Sequence, residues 1–171
     1  MRSHRGRPVL MAAGLVAVGL VAQAADDGFP KGKSFVIELT STQASSGLGE
    51  YLVPPLHSGM TAAGLRYDGG PGADYVATVE PSSDVGSWHQ VGGEQVWLYL
   101  QSVTVGLSPA SMDVVPEGRL APAFAVRVEL LTDNADRDDQ LECLIRLGVR
   151  VLRQAYRPEG AVRVDGSRCE K

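Results

Sequence analysis

Residues 133–157 read DNADRDDQLECLIRLGVRVLRQAYR. Leu141, Leu144, Ile145, Gly148, Val151, Leu152 and Ala155 recur at spacings of three and four, the period of one helical face. Both ends carry matching signals. Asp133 and Asn134 are N-cap residue types, and Asp136, Asp138 and Asp139 sit where the positive end of the helix dipole favours carboxylates. Arg150, Arg153 and Arg157 fill the last turns, where cations are favoured, and Pro158 cannot continue the ladder. The stretch predicts an amphipathic helix packed on a sheet, with Leu147 and Val149 widening its apolar flanks.

The opposite face of this helix is basic. Arg146, Arg150, Arg153 and Arg157 fall within about 60° of one another on a 100° wheel. Glu142 precedes Arg146 by four residues, the favourable order for an ion pair. Charge on an outer helical face ordinarily serves solvation. The sharper expectation is a docking strip for an acidic partner.

Working outward, residues 34–40 (SFVIELT) alternate as a strand, with Phe35, Ile37 and Leu39 on one side. Residues 41–46 read as a polar loop. Residues 47–63 repeat near helical spacing, and Pro54-Pro55 must kink that helix or mark its true start. A glycine-rich turn leads into a strand over 73–80. Residues 81–93 read as a polar loop and 94–106 as a long strand. In the latter, Val96, Leu98 and Leu100 oppose Trp97, Tyr99 and Gln101, and the later Val103 and Val105 call for a bulge near Ser102. Residues 107–122 form a loop with three prolines. A strand over 123–132 precedes the main helix, and 161–164 is a candidate edge strand.

The order β-α-β-β-β-α, with a candidate final β, predicts a parallel crossover followed by an antiparallel meander. The expected fold is α+β, a two-layer sandwich: a mixed sheet of four or five strands with two helices on one face. If the helices cover the Val96/Leu98/Leu100 side, Trp97 and Tyr99 stand on the open side.

The N-terminus has its own logic. Arg2, Arg5 and Arg7 precede an apolar run, and Ala22-Gln23-Ala24 closes it as a cleavage site. This is the three-part pattern of a secretory signal peptide over 1–24. No cysteine follows it to carry a lipid, and the apolar run is short for a bilayer span. Residues 25–33 read as a mobile leader, and 34–171 as a single domain. Cleavage removes three arginines and takes the formal charge from −4 to −7, which disfavours nucleic acid as a partner, and none is expected. The expected location is periplasmic or secreted, with no transmembrane segment after cleavage. In that setting two cysteines, Cys143 and Cys169, predict a disulfide, and the chain beyond Pro158 is long enough to turn back and close it.

Catalytic signatures are missing. Ser87, His89 and Asp84 make a conceivable hydrolytic set, but no nucleophile elbow accompanies them. His57 and His89 match no zinc spacing. Asn134, Asp136 and Asp138 open like a calcium loop, yet lack its glycine and closing glutamate. The expectation is therefore no catalytic residue, no metal and no cofactor. Between Arg66 and Arg119 seven acids occur without one Lys or Arg, so charge is uneven along the chain.

The motif Ala73-Asp74-Tyr75-Val76, the Trp97-Leu98-Tyr99 strand and the acid-capped final helix carry a resemblance. The chain resembles small exported proteobacterial proteins with a β-α-β-β-β-α domain like the N-terminal domain of the periplasmic protein TolB. Many of those are lipoproteins. The resemblance implies an envelope accessory or interaction module with an envelope protein as partner, and carries over no catalytic residue. The alternatives are a binder of small ligands or envelope fragments using Trp97 and Tyr99, and a hydrolase or metal enzyme.

Overall fold

The computed structural model describes residues 28–110, 122–134 and 136–170. The expected signal peptide and most of the 107–122 loop lie outside them.

Strand β1 (Ser34–Glu38) leads through a short helix α1 (Ser41–Ser45) into helix α2 (Gly49–Ala63). Then come β2 (Arg66–Tyr67), β3 (Tyr75–Ser83), β4 (Ser87–Val91) and β5 (Glu94–Pro109). Strand β6 (Phe124–Thr132), helix α3 (Asp138–Ala155), β7 (Gly160–Asp165) and a 3₁₀ turn at Ser167–Cys169 complete the chain. The sheet is mixed, in the order β2-β1-β3-β5-β6-β7, with β4 paired to an outer part of β5. The expected parallel crossover is present between β1 and β3, and β3, β5 and β6 form the antiparallel meander. The final strand is also present, parallel to β6 at the sheet edge. Among the described residues seven strands rather than four or five are formed, because β2 and β4 came from stretches read as turn and loop.

One hydrophobic cluster unites these elements. Phe35, Ala77, Val79, Val103, Val105, Leu107, Val126 and Val128 line one sheet face, and Leu52, Leu56, Met60, Leu144, Ile145, Val149 and Leu152 come from the helices. Two glycines set the spacing. A Cβ on Gly148 would stand 2.8 Å from Val105 Cγ2, and one on Gly59 would stand 3.2 Å from Val149 Cγ2. Bare backbone thus lets α3 approach the sheet and α2 approach α3. Phe29 is buried in the same core, edge-on to Tyr156, and Gly32 donates to the Gly64 carbonyl. Residues 28–33, expected to form a leader outside the domain, are packed into it.

Three local expectations are corrected. Residues 41–46 are not loop. Thr40 and Gln43 form a reciprocal capping box that starts α1, and the signature T-x-x-Q was present in the sequence. Helix α2 runs through Pro54 and Pro55 without a break. The two missing N–H groups would have met the carbonyls of Glu50 and Tyr51, which lie on exposed residues where water can serve them. Helix α3 begins at Asp138 rather than at Asp133, with Arg137 as N-cap. Asn134 braces the preceding turn by accepting from the Asp136 N–H.

The fourth correction concerns faces. Strand β5 holds an unbroken register with β6 from Tyr99 to Leu107 and with β3 from Gln101 to Pro109. No bulge occurs at Ser102. Trp97 and Tyr99 therefore share the side of Val103 and Val105, which the helices cover. Val96, Leu98 and Leu100 lie on the opposite side. The irregularity is in the companion strand: Ser83 pairs Gln101 and Ser87 pairs Leu98, so three residues, 84–86, face two. Asp84 Oδ1 fills the gap, accepting from the N–H groups of Leu100 (2.8 Å) and Gly86 (2.9 Å).

Candidate functional site

The outer face of α3 carries the first surface. Arg146, Arg150 and Arg153 are exposed on it. Arg146 pairs with Glu142 at 2.8 Å, as the four-residue spacing predicts. Arg150 and Arg153 make no ion pair among the described residues. Arg157 does not continue the strip. It lies beyond the helix end, with its guanidinium 5.9 Å from the centroid of the Phe124 ring.

The expected disulfide is formed, with Cys143 and Cys169 Cα atoms 5.6 Å apart. Its effect on the surface is to bring the C-terminal turn against α3. Gly166 seats against Leu144 and the Glu129 carbonyl, and Cys169 enters the core. Arg168 is thereby carried beside the helix. An open groove of about 550 Å³ results, lined by Asp139, Glu142, Arg146, Leu147, Arg150 and Arg168 around the disulfide. No spacing in the sequence joins Arg168 to the strip; the cysteine pair is the signal that could have found it. Asp165, one turn away, has its carboxyl held below the usual range, mainly by the Ser167 N–H and hydroxyl.

The second surface is an arm. Beyond Thr132 and Ser83 the sheet narrows to β4 and the start of β5, joined by Gly92-Gly93. Both glycines have positive φ, 59° and 94°, as a two-residue turn between twisted strands requires. Trp88 pairs with Trp97, their rings edge to face with centroids 5.3 Å apart. Trp88 is 65% exposed, Val91 52% and Trp97 39%. Gly86 approaches Trp97 so closely that a Cβ there would lie 2.4 Å from the indole nitrogen. Two alternating runs separated by two glycines are a hairpin signature that the reading as a loop passed over.

The histidines are not brought together into a reactive centre. His89 Nε2 lies 2.9 Å from Ser87 Oγ, but Asp84 is committed to the two backbone N–H groups, so no carboxylate orients the imidazole. His57 packs edge-on to Tyr67, with ring centroids 4.8 Å apart, and near Phe35. Among the described residues no three His, Cys, Asp or Glu side chains gather as metal ligands. No described helix is long and apolar enough to cross a membrane.

The fold and these two surfaces define a small α+β domain with a mixed sheet, a disulfide-bound arginine groove and a projecting hairpin. No protein-family model and no curated protein matches the chain. A solved structure similar to it is the minor lipoprotein of Acinetobacter baumannii, at 20% identity and a TM-score of 0.38, over 71% of this chain and 87% of that one. At that score the likeness carries no weight for function.

Proposed function

We propose that the protein is a non-enzymatic accessory module of the bacterial envelope, exported to an oxidising compartment, that holds an acidic partner in the groove of Arg146, Arg150 and Arg168. One observation carries the reading: the disulfide fixes a third guanidinium beside two others, and Arg150 there has no acid of its own. The bridge also supports export, since disulfides persist in oxidising compartments. Arginine suits the task because its planar fork meets carboxylates and phosphates in a bidentate manner. The groove walls are exposed, so attraction is salt-sensitive and serves partner choice and encounter more than affinity.

The test compares Arg150→Glu/Arg168→Glu with Arg153→Glu, which leaves the groove walls intact. Binding to poly-glutamate and recovery of envelope-fraction partners are measured at two salt concentrations. Loss with the groove variant alone, together with salt sensitivity, is expected. Unchanged binding in the groove variant removes the reading. The ligand-binding alternative at Trp97 and Tyr99 has less support, because Trp88 and Gly86 already occupy the surroundings of the Trp97 ring.

A further inference from the structure

The C-terminal turn depends on a single covalent tie. Its last hydrogen bond to the sheet is made by the Gly166 N–H, which donates to the Glu129 carbonyl at 2.7 Å. Beyond that point the hydrogen bonds are local. Ser167 donates from its N–H and its hydroxyl to Asp165, the Cys169 N–H donates to the Gly166 carbonyl, and the Glu170 N–H donates to the Ser167 carbonyl. Among the described residues no hydrogen bond or ion pair joins 167–170 to helix α3. Ser167, Arg168 and Glu170 are exposed, and only the Cys169 side chain in this stretch is buried. One small thiol removes too little apolar surface from water to offset the conformational freedom of the turn. The Cys143–Cys169 bridge is therefore what keeps Arg168 beside Arg146 and Arg150.

The bridge is also placed to react. Both cysteines line the groove, Cys143 half-exposed and Cys169 5% exposed, and three guanidiniums line it with them. Cysteine sulfur is reactive in electropositive, partly exposed settings and inert when buried among apolar groups. Asp139 and Glu142 on the same walls do not cancel the positive charge. Arg137 pairs with the first and Arg146 with the second, each at 2.8 Å, so Arg150 and Arg168 are the charges that meet an incoming anion.

We propose, resting on the groove reading above, that the bridge is a redox release for the groove: a vicinal dithiol opens it, the turn over 167–170 leaves α3, and Arg168 goes with it, which weakens the hold on an acidic partner. A thiolate of the dithiol comes from the open side and attacks Cys143 Sγ. The S–S bond breaks, and Cys169 leaves with the electron pair. The second thiolate of the dithiol then attacks the dithiol's own sulfur in the mixed disulfide, and Cys143 leaves beside Arg146 and Arg150. Two electrons pass to the bridge, two protons follow to the cysteines, and the dithiol ends as a disulfide. The arginines act at both stages, attracting the attacking anion and stabilising the departing thiolate.

The release is local because the body has other supports. Leu144, Ile145, Val149 and Leu152 bury α3 against the sheet, and β7 stays paired with β6 from Gly160 to Asp165. An oxidising compartment supplies the closed form, and the dithiol supplies the open one. Linkage runs in both directions. A partner that prefers the closed groove makes the bridge harder to reduce by the same factor.

The experiment compares the wild-type chain, oxidised and reduced with dithiothreitol, with Arg168→Gln in the same two states, using poly-glutamate as the probe. Reduction is expected to weaken binding by wild type roughly 2- to 5-fold, the size of one exposed guanidinium–carboxylate contact. Arg168→Gln is expected to bind at the weaker level in both states. Trypsin reads the release without any ligand: cleavage after Arg168 should be faster in the reduced chain, while the far-ultraviolet spectrum stays unchanged. A redox effect that persists in Arg168→Gln, tryptic cleavage indifferent to the bridge, or loss of the far-ultraviolet spectrum on reduction overturns the proposal. Binding by wild type that is equal in both states removes the switch alone. An oxidised chain that does not bind poly-glutamate removes the groove reading, and the switch with it.

Discussion

Breaking the bridge between Cys143 and Cys169 is the perturbation with the clearest magnitude. The cysteines are 26 residues apart, and the loop between them contains most of α3 and all of β7. Chain-entropy arithmetic for a loop of that length gives about 3.5 kcal/mol of stabilisation, exerted on the unfolded chain. The native state loses little by comparison. Leu144, Ile145, Val149 and Leu152 hold α3 in the core without help from the sulfurs, and β7 keeps its pairing with β6. Cys143→Ser/Cys169→Ser should therefore retain the native far-ultraviolet spectrum. It should unfold with a free energy lower by about 3.5 kcal/mol and a Tm lower by about 7–14 °C. Denaturant titration is the assay, and the m-value should rise because the uncrosslinked chain exposes more surface. A loss below about 1 kcal/mol would refute the reasoning on the unfolded side. Loss of native structure would refute it on the folded side, by showing that the bridge itself holds α3 to the sheet.

Three further outcomes follow from single residues. Gly86→Ala combines a φ of +80° with a Cβ 2.4 Å from the Trp97 indole nitrogen; the Trp88–Trp97 circular dichroism band should disappear, while the core, read by the Tm, moves far less. Asp74 accepts from the Ser34 N–H and hydroxyl, which hold its carboxyl below the ordinary value of 3.8. Its contribution is complete above that value and is lost as pH falls through the lower folded one, so the Tm difference between Asp74→Asn and wild type should be present at neutral pH and close in acid. Gln140 is 1% exposed and its Nε2 lacks a hydrogen-bond partner, while its Oε1 accepts from Thr132, whose hydroxyl also reaches the Asn134 carbonyl. Gln140→Met should raise stability by about 1 kcal/mol in denaturant titration, because it removes an unsatisfied buried amide.

The parts of the fold that were readable in advance are those where one physical signal dominates. Helix α3 has a clean apolar period with charges sorted by its dipole, and β6 alternates from Phe124 to Leu130, so both were legible. The disulfide followed from compartment and count. The arm was misread because β5 is apolar on both sides along its first half. Val96, Leu98 and Leu100 look like a core face, and only pairing with β6 shows that Leu100 stands opposite Leu131, outside the helix-covered side. Periodicity cannot choose between two apolar faces. The groove was half legible: the arginines of α3 were visible on the helical wheel, but Arg157 left the strip when the helix stopped at Ala155, and Arg168 joined it only through tertiary packing.

Strand β5 belongs to the body and the arm at once. Its sixteen residues make a rod of roughly 50 Å, with the Trp97 side chain near one end and the buried valines in its middle. No joint interrupts that rod. The register irregularity is confined to the companion chain at Asp84–Gly86. The arm is therefore the outer end of the same strand that crosses the middle of the sheet.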